Sequence, residues 1–166
     1  MSIEANKALI QKWVDEVLNT RDVSDQSLAY QLVATDFVGH FAGQPPIHGL
    51  EVYRQFGSAY FTAFPDLQIT PEDLIAEGDK VTMRYSWRGT QQGELMGIPA
   101  TGKQVTTSGT SILRVANGKI AEQWGLDDRL AMLQQLGVIP VLFGFVFLTG
   151  LAAGMGLIAL LRKVLK

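Results

Sequence analysis

The hydrophobic pattern of this chain changes its period at Pro65. Before this residue, apolar residues recur every three to four positions, which is typical of helices that bury one face. After it, apolar and polar residues alternate through residues 80–91, which is typical of a strand with one buried face. Because the helical segments come first and the alternating segments follow, the order favours an α+β fold with helices packed on one face of a sheet.

Three segments before Pro65 predict helices. Residues 1–18 form an amphipathic pattern, and the charged residues within it interrupt the long apolar run that a secretory signal needs. Residues 27–34 predict a short second helix, and residues 50–64 predict a third helix that Pro65 ends. The apolar face of the first helix consists of Leu9, Ile10, Trp13, Val14, Val17 and Leu18.

Extended segments and a hairpin turn predict a sheet, with an antiparallel meander after Pro65. Residues 36–41, 80–91 and 105–115 have strand character, and the Asn117-Gly118 pair follows the last of them. Asn-Gly is a strong hairpin signal because type I′ turns need a positive φ at both central positions. The segment after the turn, which includes Trp124, is therefore expected to pair with residues 105–115.

The C-terminal segment differs in composition from the rest of the chain. No charged residue occurs between Val138 and Leu161, whereas Arg162, Lys163 and Lys166 follow. As a helix, residues 141–161 would span ~32 Å, close to the ~30 Å hydrocarbon core of a bilayer. This pattern predicts a domain over residues 1–137 and a single-pass transmembrane anchor with a short basic tail over residues 138–166. The alternative is an apolar helix buried against the domain or in an oligomer.

Small residues recur every four positions within the predicted anchor: Gly150 with Gly154, and Ala152 with Gly156. Such a strip lets another membrane helix approach closely, so it favours a membrane-protein partner as well as the lipid bilayer. Because a five-residue tail crosses a membrane more easily than a 137-residue domain, we expect the domain on the cytoplasmic (or stromal) side.

Charge and residue types exclude several other partners. All 16 acidic residues precede Val138, and an acidic domain lacks the clustered cations that nucleic-acid binding needs. The absence of cysteine excludes disulfides and thiolate metal sites. His40 and His48 are eight residues apart without carboxylates at ligand spacing, so the sequence predicts no metal site.

Residues 63–105 and 118–138 carry a family resemblance. Phe64-Pro65-Asp66, Gly97-Ile98-Pro99 and the Trp124/Asp128 pair ahead of residues 134–137 resemble the SnoaL-like polyketide cyclases, a branch of the nuclear-transport-factor-2-like superfamily. The resemblance covers residues 5–138. It implies a cone in which a curved antiparallel sheet wraps three helices around one deep apolar pocket, without a metal or organic cofactor. It implies no single activity, because this fold hosts enzymes and binding proteins alike.

The resemblance implies that Asp128 is the general base that removes a proton next to a carbonyl. A carboxylate in an apolar pocket loses hydration and becomes a stronger base. In a regular strand, Trp124, Leu126 and Asp128 also share one face. The alternative is that Asp128 caps a short helix that begins after it.

Gln91 stands where the family often has a histidine. Its amide can donate a hydrogen bond to a developing enolate oxygen, but it cannot titrate. For each of the further candidates, ordinary packing in the core is the alternative role. These candidate ligand-binding residues are His40, Tyr60, Phe64, Tyr85, Trp87 and Trp124.

Two functions are compatible with the sequence. The first is a membrane-anchored protein that binds or cyclises a small lipophilic molecule by aspartate general-base chemistry. The second is a non-catalytic accessory subunit of a larger membrane complex, for example a photosynthetic or respiratory one, held by its transmembrane helix. Asp128 and the aromatic residues favour the first, and the missing histidine favours the second.

Overall fold

The computed structural model describes residues 2–21 and 27–139, which form helices and one six-stranded sheet. The helices are α1 (Ile3–Trp13), α2 (Ala29–Leu32), α3 (Leu50–Ala63) and α4 (Arg129–Leu136), and a π-helical turn (Val14–Leu18) continues α1. The strands are β1 (Val33–Phe41), β2 (Ile47–His48), β3 (Gln68–Glu77), β4 (Lys80–Thr90), β5 (Gln104–Ala116) and β6 (Lys119–Asp127).

The helices follow the predicted order. Ser2 caps α1 by accepting a hydrogen bond from the Ala5 N–H (3.2 Å), and Ile10, Trp13 and Val14 are buried as the amphipathic pattern requires. Helix α3 ends at Ala63, one residue before the predicted end. Helix α2 is shorter than predicted, because the chain becomes extended at Val33.

The sheet is mixed, which corrects the prediction of a wholly antiparallel sheet. Its strand order is β2-β1-β6-β5-β4-β3. The pairs from β3 to β6 are antiparallel as predicted, but β1 lies parallel to β6. The chain reaches β6 only after passing through β2, α3 and three further strands, so β1 and β6 are not joined by a hairpin and can run in the same direction.

Strand β4 and the turn after β5 agree with the sequence pattern. Val81, Met83, Tyr85 and Trp87 are buried and alternate with more exposed residues. Asn117 (φ 52°) and the glycine after it (φ 76°) both have the positive φ of a type I′ turn.

Strand β3 was not predicted. It contains Pro71 and lies at the edge of the sheet, where a proline can be tolerated.

Strand β6 contains a bulge that changes which side chains face inward. Val115 pairs with Ile120, whereas Arg114 pairs with Glu122, so Ala121 is the extra residue. In a regular register, the acidic Glu122 would lie opposite Leu113, which is fully buried, and burying a charge is costly. The bulge brings Gln123 opposite Leu113 instead. Beyond Ala121, the inward face therefore carries odd-numbered residues.

The helices and the inner face of the sheet enclose one hydrophobic core that includes Trp13, Phe37, Phe64 and Leu113. Helix α4 ends at Gly137, whose φ of 81° is the left-handed conformation of a helix C-terminus. Val138 packs against the core as well.

The predicted anchor helix lies outside the described residues, as do Gly150, Ala152, Gly154 and Gly156. None of the helices within residues 2–21 and 27–139 has the length and the apolar character that crossing a bilayer requires.

Candidate active site

A cavity of about 130 Å³ opens between α1, α3, α4 and the inner face of the sheet. This volume is several times the space that one water molecule needs. Most of its lining is aromatic or aliphatic, and the polar side chains come from the sheet, from α3 and from the start of α4. The apolar lining includes Trp13, Phe41, Phe56, Tyr60, Phe61, Leu67, Ile69, Met83 and Trp87, and the polar lining includes Tyr53, Tyr85, Thr107, Ser111, Gln123, Asp127, Asp128 and Arg129.

Asp127 places a carboxylate in this cavity. Tyr85, Gly109 and Asp127 lie side by side on β4, β5 and β6, and the Tyr85 hydroxyl donates a hydrogen bond of 2.7 Å to Asp127 Oδ1. The glycine between them leaves room for this contact. A Cβ at position 109 would lie 2.6 Å from the Tyr85 hydroxyl oxygen and 2.8 Å from Asp127 Oδ1.

Burial raises the pKa of Asp127 above its ordinary value. The Tyr85 hydrogen bond, the positive charge of Arg129 and a hydrogen bond from Trp87 act in the opposite direction. Burial and the neighbouring Asp127 charge raise the pKa of Tyr85, so Tyr85 keeps its proton and serves as a donor. A desolvated carboxylate held by fixed donors is suited to act as a general base.

A second polar group among the cavity-lining residues joins α3 to the sheet. The Tyr53 hydroxyl donates to Gln123 Oε1 (3.2 Å), and Gln123 Nε2 donates to Ser111 Oγ (3.0 Å). Burial raises the pKa of Tyr53, so it remains a neutral hydroxyl. These three side chains satisfy one another, as buried polar groups usually do.

The structure places Asp128 at the start of α4. Its carboxylate Oδ1 accepts a hydrogen bond from the Ala131 N–H (2.9 Å), so Asp128 is the N-cap of that helix. Asp128 also borders the cavity, but the residue is exposed. In a strand that stays regular after the Asn-Gly turn, Asp128 would be on the inward face. The bulge at Ala121 shifts the pattern by one residue, so Asp127 faces inward instead.

Gln91 is fully buried but does not line the cavity. Its Nε2 donates to the Ile98 carbonyl (3.2 Å), and its Oε1 accepts from the Thr101 hydroxyl (2.7 Å). Both ends of the amide therefore hold the loop between β4 and β5, away from the cavity where an enolate would form. Phe64 is also absent from the lining and packs edge-on against Trp87, with ring centroids 5.3 Å apart.

His40 and Trp124 lie on the outer face of the sheet. Their rings are stacked with centroids 5.4 Å apart, and His40 Nε2 lies 3.0 Å from Glu122 Oε1. Neither residue lines the cavity. The bulge in β6 turns Trp124 outward, and His40 lies beside it on β1. Of the predicted ligand-binding residues, Tyr60, Tyr85 and Trp87 do line it.

Asp127 is the residue that the strand-parity argument missed. Glu122 could have indicated the bulge from the sequence. A regular register from the Asn-Gly turn would direct its charge inward, and a bulge avoids this. In residues 2–21 and 27–139, no cluster of three or more histidine, aspartate or glutamate side chains could hold a metal ion.

A family model described as SnoaL-like polyketide cyclase matches residues 8–136. The chain belongs to the SnoaL-like polyketide cyclase family. The cavity lies wholly within this SnoaL-like domain, and so do the candidate residues around it. No curated protein matches the sequence.

Solved structures support the family and the fold. IdmH from Streptomyces antibioticus, a candidate polyketide cyclase, is 31% identical with a TM-score of 0.65, and the match covers 80% of this chain and 99% of IdmH. AclR from Streptomyces galilaeus, a candidate hydroxylase, is 29% identical with a TM-score of 0.71, over 82% of this chain and 98% of AclR. TsrD from Streptomyces laurentii is 24% identical with a TM-score of 0.73, over 83% and 98% of the two chains, and supports the SnoaL-like fold alone.

Proposed function

We propose that the cavity binds a small, largely apolar carbonyl compound and that Asp127 removes a proton from the carbon next to the carbonyl. The observation that carries this proposal is the Asp127 carboxylate itself. It lies in an aromatic cavity, burial raises its pKa, and the Tyr85 hydroxyl fixes its orientation.

The proposed reaction needs no cofactor. The C–H proton moves to Asp127, and the electron pair of that bond forms an enolate. In a cyclase, the enolate carbon attacks a second carbonyl of the same molecule, and Asp127 returns its proton to the resulting alkoxide. In an isomerase, the proton returns to a different carbon. Because IdmH and AclR are candidates for different reactions, the assignment depends on the position of the base and not on the fold.

In this proposal the general base is Asp127 and not Asp128. Asp128 uses its carboxylate to cap α4, whereas Asp127 has its carboxylate inside the cavity. Gln91 is not included as an oxyanion donor because both ends of its amide bind the loop backbone and Thr101.

The proposal can be tested by α-proton exchange. α-Tetralone is a bicyclic aryl ketone with an acidic C–H next to its carbonyl, and its flat shape suits an aromatic cavity. We expect the full chain in D₂O to accelerate the replacement of these protons by deuterium, as measured by proton NMR. An exchange rate equal to that of buffer with a fully exposed carboxylate such as acetate would contradict the proposal.

We also propose that residues 138–166 anchor the domain to a membrane, with the domain on the cytoplasmic (or stromal) side. The support is composition: Val138 to Leu161 carry no charge, and a basic end follows. The full chain should stay with membranes during an alkaline carbonate wash. Release into the wash would contradict the anchor.

The proposed partner of this anchor is another membrane protein that packs along Gly150 and Gly154. Replacing both with leucine keeps the segment apolar but blocks close approach of a second helix. The double variant should insert into membranes and separate from its complex on a native gel. Unchanged co-migration would contradict the glycine strip as the contact.

A further inference from the structure

The Tyr60 hydroxyl is a polar group of the cavity without a hydrogen-bond partner in the part of the chain that the structure describes. Tyr60 lines the cavity from α3, and its ring packs against Phe56 with centroids 5.4 Å apart. The hydroxyl is also not among the buried, unpaired side-chain atoms of residues 2–21 and 27–139. An unpaired hydroxyl that is not sealed inside the protein is open to the space that its side chain lines.

The other two tyrosines of the cavity use their hydroxyls within the protein. Tyr85 donates to Asp127 (2.7 Å), and Tyr53 donates to Gln123 (3.2 Å). Buried or half-buried polar groups are usually paired in this way. Tyr60 differs from both, and its hydroxyl remains available to a bound molecule.

Two contacts show how α3 runs relative to β6. The Tyr53 hydroxyl reaches Gln123 on β6. One turn further along α3, the Phe56 ring stacks on the Phe41 ring, with centroids 5.0 Å apart. Phe41 in turn covers Gly125, where an added Cβ would lie 2.8 Å from Phe41 Cδ1. One turn of the helix thus matches two residues of the strand, and the two elements run in the same direction.

Continuing this match by one more turn brings Tyr60 to Asp127. A helical turn rises ~5.4 Å and two strand residues rise ~6.6 Å, so the two steps stay nearly equal over this distance. The electrostatics agree: burial raises the pKa of Tyr60, the Arg129 charge lowers it, and the Asp127 charge raises it further. Tyr60, Asp127 and Arg129 therefore border the same part of the cavity.

We infer that Tyr60 is a catalytic residue whose hydroxyl donates a hydrogen bond to the carbonyl oxygen of the substrate. This inference deepens the proposed function, on which it rests for the carbonyl group. When Asp127 takes the α-proton, the electron pair of the C–H bond forms a C=C bond, and the carbonyl oxygen gains the negative charge. A donor already in place at this oxygen stabilises the enolate more than the ketone, and the positive charge of Arg129 adds to the effect.

Tyr60→Phe tests this role, because it keeps the aromatic ring and removes the donor. In α-proton exchange of α-tetralone by the full chain in mild detergent, we expect kcat to fall by about 10²-fold, the cost of losing one oxyanion donor. KM should change by only a few-fold, since the charge on the oxygen develops after binding. An unchanged kcat in Tyr60→Phe would overturn the inference.

Tyr30→Phe is the matched control. Tyr30 lies outside the cavity lining, and its hydroxyl donates to Glu51 (2.6 Å). This variant should exchange α-tetralone at the wild-type rate. Tyr60→Phe should also unfold at the wild-type urea concentration, because the lost hydroxyl has no partner in the protein. A large loss of stability in Tyr60→Phe would overturn the inference, since it would mean that the hydroxyl is bonded within the protein.

Infrared spectroscopy gives a readout that does not depend on turnover. A hydrogen bond to a carbonyl lowers its stretching frequency, and a carbon-13 label identifies the band of α-tetralone against the protein background. With detergent samples without protein subtracted, wild type and Tyr30→Phe should show the band below its position in cyclohexane, and Tyr60→Phe should move it back toward that position. The same band position in wild type and Tyr60→Phe would overturn the inference, and so would a lack of α-tetralone binding at millimolar concentration.

The two readouts separate the inference from the proposed function. Wild-type exchange with an unchanged kcat and an unchanged band in Tyr60→Phe would overturn the inference and keep Asp127 as base. A band shift that depends on Tyr60, without exchange by wild type, would support the Tyr60 donor and overturn the base.

Discussion

Two neighbouring carboxylates have different environments, although a single peptide bond separates them. Asp127 lies in the cavity beside Tyr85 and has a raised pKa. Asp128 is exposed and accepts a hydrogen bond from the backbone of α4. The cause is local geometry: successive residues of a strand point to opposite faces, and β6 ends at Asp127.

The raised pKa of Asp127 predicts a pH-dependent effect of Asp127→Asn on stability. The folded state holds the Asp127 proton more tightly than the unfolded chain does, so the contribution of Asp127 to stability is largest below the ordinary pKa of 3.8. It is lost as pH rises through the raised folded pKa. Urea denaturation should therefore show the stability of Asp127→Asn, relative to wild type, increasing from about pH 4 upward and then levelling. A relative stability that decreases over this range would contradict the burial of the carboxylate.

The close contacts around Gly109 predict that a larger residue at this position destabilises the protein. In Gly109→Ala, the added methyl group would overlap both Tyr85 and Asp127, and overpacking of this kind costs about 1–3 kcal/mol. The matched control is Gly57→Ala on α3, where the nearest atom is 3.7 Å from the new Cβ. That change should stabilise the protein by about 0.5–1 kcal/mol, since alanine favours a helix interior. Equal urea midpoints for the two variants would contradict the close contact at Gly109.

At the scale of secondary-structure elements, the Asp128 cap is predicted to stabilise α4. Asp128→Ala removes the acceptor for the Ala131 N–H and should lower the free energy of unfolding by ~1 kcal/mol. Asp128→Asn and Asp128→Ser keep a capping oxygen and should recover most of that loss. Equal stability of the alanine and serine variants in urea would contradict the cap.

The elements that could be predicted from the sequence are those with local signals. The apolar face of α1, the end of α3 before Pro65, the alternation in β4 and the Asn117-Gly118 turn all depend on nearby residues. The parallel pairing of β1 with β6 and the bulge at Ala121 depend on distant partners. That bulge also turns Asp127 toward the cavity, so the proposed base could not be assigned by counting along a regular strand.

At the scale of the whole molecule, the described residues form a domain with its own core. Helix α4 ends at Gly137, and Val138 still packs against that core. A chain of residues 1–139 should therefore unfold cooperatively, with a melting temperature within a few degrees of the full chain. Calorimetry that shows a non-cooperative transition for residues 1–139 would contradict a core that is complete without the predicted anchor.

The central claim is that Asp127, and not Asp128, is the base of this cavity. The most direct measurement is the α-proton exchange of α-tetralone by wild type, Asp127→Asn and Asp128→Asn, each full-length. The account predicts that Asp127→Asn lowers the rate by about 10²-fold or more, the contribution of a positioned general base. It predicts that Asp128→Asn, which keeps a capping oxygen, exchanges within a few-fold of wild type. A large loss in Asp128→Asn with full exchange in Asp127→Asn would contradict the account.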